Sequence, residues 1–415
     1  MNPNGLLDRL LPYRPKLLLP IVLISLPFGA IGSFLPLYAH SLGASAFEVG
    51  VVYGAFSLAG LVCRPLVGVG VDRLGREQFV IAGMVAYTLS FAMFSLLDGV
   101  TMLVLARVLQ GVASAAFWVA LSVLAGDWSE GGLRGALFGA LNQALNIGMA
   151  LGTVLSYGLI AYIGIQSGWR WTMAAYALVS VCALLLMLRW LPRGVGLSGR
   201  GEPADKRPAL DKRGVRVLSE VLLVLLVLSS CYSMITPLLL VYLEERFGVS
   251  EFVIGLAYAP AAVVYALAPA YLGRLSDRWG RRPVICLGLL SSGLVACFFP
   301  LAPSLWVLSL AWLVEALCSS AAVPAQDALV SDLTGGSVRG RAYGVYAATT
   351  GLGSTVGPPL GGWLYDHVSM AAPFWVNAVV LVLGALALFY ILRPLPASLV
   401  GRARKVRGSL GPADH

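Results

Sequence analysis

One carboxylate, Glu315, falls near the middle of an apolar run over residues 305–328, where an acid withdrawn from water can take up and release a proton. Trp312, Glu315, Ser319 and Gln326 are spaced i, i+3, i+7 and i+14, which places them on one helical stripe expected to face a cavity. Arg107 lies well inside a second apolar run, 101–125. A charge at the centre of a membrane helix costs about 2.5–3.5 kcal/mol on insertion scales, so Arg107 has to face protein or water. Two readings of the pair stay open: Glu315 exchanges protons, or Glu315 and Arg107 form a static buried ion pair. Arg107 by itself has a structural alternative as a donor to backbone carbonyls of neighbouring helices. Further cavity candidates are Phe28, Gln110, Trp118 and Tyr232. To these are added Asn142, Gln143 and Asn146, on the opposite face of their helix from Gly148 and Gly152. Aromatic groups with few charges among them suit small amphiphilic ligands, although each ring has an ordinary alternative in core or lipid packing.

The elements that position these groups follow from composition. Hydrophobic residues make up 58% of the 415, charged residues only 12%, and the mean hydropathy is +0.83, far from the balance of a water-soluble domain. Apolar runs of bilayer-spanning length recur near 17–39, 49–70, 79–97, 101–125, 136–163, 171–191, 221–243, 252–272, 284–301, 305–328, 342–364 and 372–392, about twelve spans in all. The first is longer than a signal-peptide core and has no small-residue cleavage site after it, so it reads as the first span. Lys and Arg concentrate in the loops that share a side with both termini, which the positive-inside rule assigns to the cytoplasm. That topology accounts for the net charge of +9 and excludes the need for a nucleic-acid partner. The six cysteines lie inside apolar runs without metal-site spacing, and His40, His367 and His415 are far apart, so no metal is expected. No phosphate-cradling Gly-Lys loop and no His-Glu-x-x-His sequence occurs, which disfavours an ATP-driven pump or an intramembrane protease.

Internal repetition organises the chain. Gly68, Asp72, Arg73, Gly75 and Arg76 recur as Gly273, Asp277, Arg278, Gly280 and Arg281 (273 − 68 = 205). The same shift carries Phe47 and Gly50 to Phe252 and Gly255, Asp127 to Asp332, Arg134 to Arg339, and Gly148 and Gly152 to Gly353 and Gly357. A gapless offset implies duplication, and an even number of spans per copy gives two parallel repeats with the substrate bound between them. The expected organisation is a six-helix bundle over 1–191, a Gly-, Pro- and charge-rich cytoplasmic linker over 192–216, a second bundle over 217–393 and a cytoplasmic tail over 394–415.

Through Gly68-Val-Gly-Val-Asp72-Arg73-Leu-Gly75-Arg76 and its copy ending Asp277-Arg278-Trp-Gly280-Arg281-Arg282, the chain resembles the major facilitator superfamily, in its 12-helix drug/proton antiporter branch. The resemblance covers essentially the whole chain and implies an all-α membrane protein of twelve transmembrane helices in two six-helix repeats. It implies that these loops latch the cytoplasmic side, with Arg76 and Asp127, and Arg281 and Asp332, completing the gate. Arg107-Val-Leu-Gln110-Gly111 is similar to the family's proton-coupling motif. Gly139, Gly148 and Gly152 follow its antiporter spacing with Thr153 where the proline belongs; the full pattern stands as Gly344, Gly353, Gly357-Pro358 and Gly361-Gly362. Gly168-Trp169-Arg170-Trp171 also resembles that branch, and its Trp and Arg are otherwise explained as interfacial anchors. Span one departs from several relatives of the branch in having no carboxylate between Lys16 and His40. The expectation is a multi-pass protein of the cell membrane, not an enzyme, monomeric and without a cofactor, that uses the proton gradient to export small amphiphilic compounds. Uptake or facilitated passage of a polar metabolite is the alternative, and a non-transporting receptor a rarer one.

Overall fold

The structure is a computed structural model that describes residues 14–96, 98–128, 134–191, 212–250, 253–261, 263–265, 268, 279–333 and 339–393. Of the linker expected over 192–216, residues 192–211 lie outside the described residues and 212–216 form the start of a helix; the tail over 394–415 also lies outside them. Every regular element described is helical: α1 Arg14–Ser41, α2 Ala46–Leu74, α3 Arg76–Leu96, α4 Val100–Trp128, α5 Arg134–Ile163, α6 Ile165–Trp190, α7 Lys212–Ile235, α8 Leu238–Phe247, α9 Arg281–Phe298, α10 Leu305–Leu333, α11 Arg339–His367 and α12 Ala372–Ile391. Ten of these are long and apolar enough to cross a membrane, and the eighth expected span is represented by a shorter apolar stretch, Val253–Tyr265. The seventh expected span is interrupted: α7 stops at Ile235 and α8 starts after Pro237, which brings no N–H to an i→i−4 bond. α11 has the length of a span but falls outside the ten, because Gly, Ser, Thr and Pro dilute its hydropathy.

The helices pack into two compact units. The first holds α1–α6 with residues Ser229–Leu256 and Thr350–Pro373; the second holds the start of α7, Ala257–Thr349 and α12. This grouping by packing cuts across the boundary between the sequence repeats, because α8 and the second half of α11 lie with the first six helices.

Within the first unit, helix pairs meet backbone to backbone at glycines. A Cβ at Gly148 would fall 2.4 Å from the Val22 carbonyl oxygen, one at Gly152 1.9 Å from that of Leu26, and one at Gly29 1.9 Å from that of Met149. α1 and α5 therefore share a seam that admits no side chain. Gly111 does the same for α4 against Phe56 of α2. Aromatic rings fill the space around α3: Phe28, Tyr87, Phe91 and Phe117 pack edge-on or stacked at 5.0–6.0 Å. Trp169 is no interfacial anchor. It is fully buried, stacks on Tyr38 and donates its indole N–H to the Phe94 carbonyl at 3.1 Å, whereas Trp171 is exposed. Arg170, next to it, pairs with Asp98.

The repeated glycines of the two loops adopt one backbone conformation. Gly75 has φ 98°, ψ 148° and Gly280 φ 92°, ψ 154°, a region that only glycine occupies without strain. Their recurrence at an offset of 205 thus records a shared turn between paired helices.

Candidate functional site

In the second unit, α10 carries Glu315, which is buried at 9% exposure. Its carboxylate is surrounded by hydroxyls: Ser292 of α9 donates to Oε1 at 2.8 Å, Ser319 one turn on donates to the same oxygen, and Tyr265 donates to Oε2. The Ser292 and Ser319 hydroxyl oxygens also lie 2.9 Å apart, so either can turn its one proton to the other instead of to Glu315. No cation lies within ion-pair distance of Glu315 among the described residues. Beside it, Trp312 is buried between Tyr258 and Phe299, with ring centroids at 4.9 and 5.2 Å. The stripe therefore brings Trp312, Glu315 and Ser319 into one cluster, while Gln326, two turns further, is half-buried and apart from it.

In the first unit, Arg107 of α4 is also buried, at 6% exposure. Its Nη1 donates to Gln110 Oε1 at 2.7 Å and its Nε to the Val52 carbonyl at 3.3 Å. The guanidinium carbon lies 4.3 Å from the Phe56 ring centroid and 4.9 Å from that of Tyr53. A desolvated cation over an aromatic face gains about 2 kcal/mol or more. Two faces and two hydrogen bonds thus offset the cost of burying this charge, which has no carboxylate partner among the described residues. Each charged group has neutral hydrogen-bond partners inside its own unit. Arg107→Lys loses the fork that serves Val52 and Gln110 together. It is expected to lower stability by about 1.5–3 kcal/mol, the range for a hydrogen bond to a charged group, measured as a shifted unfolding midpoint in detergent. An unchanged midpoint would show that the fork does not hold the helix pair.

The repeat relates the two clusters. The offset of 205 carries Arg107 to Trp312, Gln110 to Glu315, Ser114 to Ser319 and Tyr87 to Ser292. The Tyr87 hydroxyl interacts with Ser114 and Trp118, so both units build a polar contact between the same pair of helices, acidic in one and neutral in the other. Trp118 also packs edge-on against Phe117. Sequence reasoning missed Ser292 and Tyr265; the repeat mate of Ser292, a tyrosine on the equivalent helix, was the available signal for the first.

Among the remaining candidates, Asn142 and Asn146 are exposed on α5 and Tyr232 is partly exposed on α7. Gly357 and Gly361 of α11 press on α7, where a Cβ would meet Ser230 O at 2.1 Å and Met234 Cγ at 2.2 Å. Gly353 accepts a hydrogen bond from Ser233 at 3.1 Å. Pro358 offers its carbonyl to the surface of Gly50. Of the expected cytoplasmic gate, Gly68, Arg73, Gly75, Arg76, Gly280 and Arg281 are described. Gly273, Asp277 and Arg278 and the side chains of Asp72, Asp127 and Asp332 lie outside the described residues.

Ten helices long and apolar enough to cross a membrane, with a buried base in one unit and a buried acid in the other, define a polytopic membrane protein. The sequence profile of the Major Facilitator Superfamily matches residues 17–232 and 221–412, one match for each repeat, and the chain belongs to that family. It is 27% identical over 400 residues to the human MFS-type transporter SLC18B1, covering 88% of this chain and 83% of the relative. It is 26% identical over 398 residues to the class G tetracycline resistance protein of Vibrio anguillarum, covering 93% of this chain and all of the relative. Among solved structures, a bacterial homolog of the human lysosomal transporter Spinster, in an inward-facing and occupied conformation, superposes with a TM-score of 0.73 at 17% identity, over 92% of this chain and 96% of that one.

Proposed function

We propose that this transporter exports small amphiphilic compounds in exchange for protons, by alternating access in the cell membrane with both termini cytoplasmic, and that Glu315 carries the proton. The observation behind this reading is the hydroxyl setting of Glu315. A hydroxyl both donates and accepts, so Ser292, Ser319 and Tyr265 can reorient to satisfy the ionised acid or the neutral one. An arginine or lysine partner would hold it in one state. The aromatic wall of Trp312, Tyr258 and Phe299 next to it suits flat, amphiphilic solutes. Export is supported by the resistance function in the name of the tetracycline relative. Facilitated passage of an organic anion is a second reading, favoured by Arg107, which is buried without a carboxylate partner among the described residues.

The test is proton movement in proteoliposomes that enclose a pH-sensitive dye. Addition of tetracycline or another amphiphilic compound is expected to drive a stoichiometric internal pH change that an ionophore collapses. Substrate flux without any accompanying proton flux would overturn coupling, and flux confined to organic anions would select the second reading.

A further inference from the structure

The end of the first unit away from Gly75 is held by a carboxylate from a distant part of the chain. α2 starts there with a capping box: the Ser45 hydroxyl accepts the Glu48 N–H at 3.2 Å and Glu48 Oε2 accepts the Ser45 N–H at 2.9 Å. Two further amides of the first turn, those of Ala46 and Phe47, have no partner within the helix. Both go to Asp366 at the end of α11, to Oδ1 at 3.1 Å and Oδ2 at 2.8 Å. The acid thus grips a helix N-terminus 320 residues away with both oxygens, where the helix dipole adds to the two charge-assisted bonds.

The surrounding contacts run along the same joint. A Cβ at Gly362 would lie 2.1 Å from the Ala46 carbonyl oxygen, and one at Gly50 2.2 Å from that of Pro358, so α2 and α11 touch through their backbones. On its far side, Tyr365 donates to Glu245 Oε2 at 2.5 Å and the other oxygen lies 3.4 Å from His40 Nε2 of α1. Under the 205-residue offset Asp366 corresponds to Ala161, so duplication did not place a second such acid at the matching position.

We propose that Asp366 is a detachable cap: its bond to the start of α2 stabilises the state in which this end is closed, and release of those two amides is the step that opens it. In the proposed orientation this is the external end, so the contact counterbalances the cytoplasmic loops. At this end the joint is made of glycine–backbone contacts and a charge–dipole contact, which can part and re-form on each cycle.

The test uses the full chain in nanodiscs, with native cysteines replaced and spin labels at Tyr162, near the end of α5, and Val368, just after α11, exposed at 87% and 62%. Asp366→Ala removes the acceptor. Ala46→Pro removes one donor from the other side, at the first helical position, where proline fits helix geometry. Each is expected to move the closed-to-open ratio, read from the inter-label distance distribution, about tenfold or more towards open. Asp366→Asn, nearly isosteric, should shift it the same way by less, and carries the test if the alanine variant does not fold. A wild-type distribution in Ala46→Pro, or in both Asp366 variants, would overturn the proposal.

Discussion

Glu315→Gln is expected to reduce pH-gradient-driven accumulation to background while substrate binding and substrate exchange persist. The amide has the shape of the protonated acid, and its NH2 and carbonyl find partners among the same hydroxyls of Ser292, Ser319 and Tyr265, so the cluster keeps its hydrogen bonds. Glutamine does not titrate. A carrier that depends on this acid would then bind and move its solute down a concentration gradient but draw nothing from protons. Binding is read from quenching of tryptophan fluorescence, with Trp312 adjacent to the site, and accumulation from vesicles with an imposed pH difference. Undiminished accumulation would remove Glu315 from the coupling step, and loss of binding together with transport would make it a substrate ligand.

Gly152→Leu is expected to prevent recovery of folded protein. Its first side-chain carbon alone would stand 1.9 Å from the Leu26 carbonyl oxygen, well inside contact distance. Overpacking in a core costs about 1–3 kcal/mol where neighbours can give way, and occasionally more. Here the obstacle is backbone on a helix that is itself pinned at Gly29 and opposite Gly148, so α1 would have to move as a body. Gly158→Leu, on the same helix with open space at its Cα, is the control and should purify as wild type. Size-exclusion profiles in detergent measure both, and a monodisperse Gly152→Leu with an unchanged melting temperature would refute the seam.

Much of the architecture was legible because it is local or repeated. Bilayer length is a property of single segments, and an offset of 205 is visible without any contact map. The Trp312–Glu315–Ser319 cluster was equally accessible, since three residues on one helical stripe need only the helix period. Tyr265 and Asp366 were not, and Ser292 was signalled only by its repeat mate Tyr87. They join their partners across helices from other parts of the chain, and no spacing rule reaches across 320 residues to the amide of Ala46. Of the two readings of Gly168-Trp169-Arg170-Trp171, the anchor reading fails for Trp169: a Trp-Arg-Trp run has the composition of an interface, but this ring turns inward to Tyr38 and the Phe94 carbonyl. The break after Ile235 was signalled by Thr236-Pro237 inside an apolar run, a signal that hydropathy averages away.

The weak hydropathy of α11 bears on how the protein is made. A segment with this many glycines, serines and threonines gains little by leaving a translocation channel for lipid alone. Its glycine face is complementary to the carbonyls of Ser230, Met234 and Ala46, all synthesised earlier. Docking onto a partly assembled bundle therefore favours insertion of α11 over partitioning into lipid alone. The helices that precede it act as its template, and a lesion in α2 or α7 would be felt first as a failure of a segment more than a hundred residues downstream to stay in the membrane.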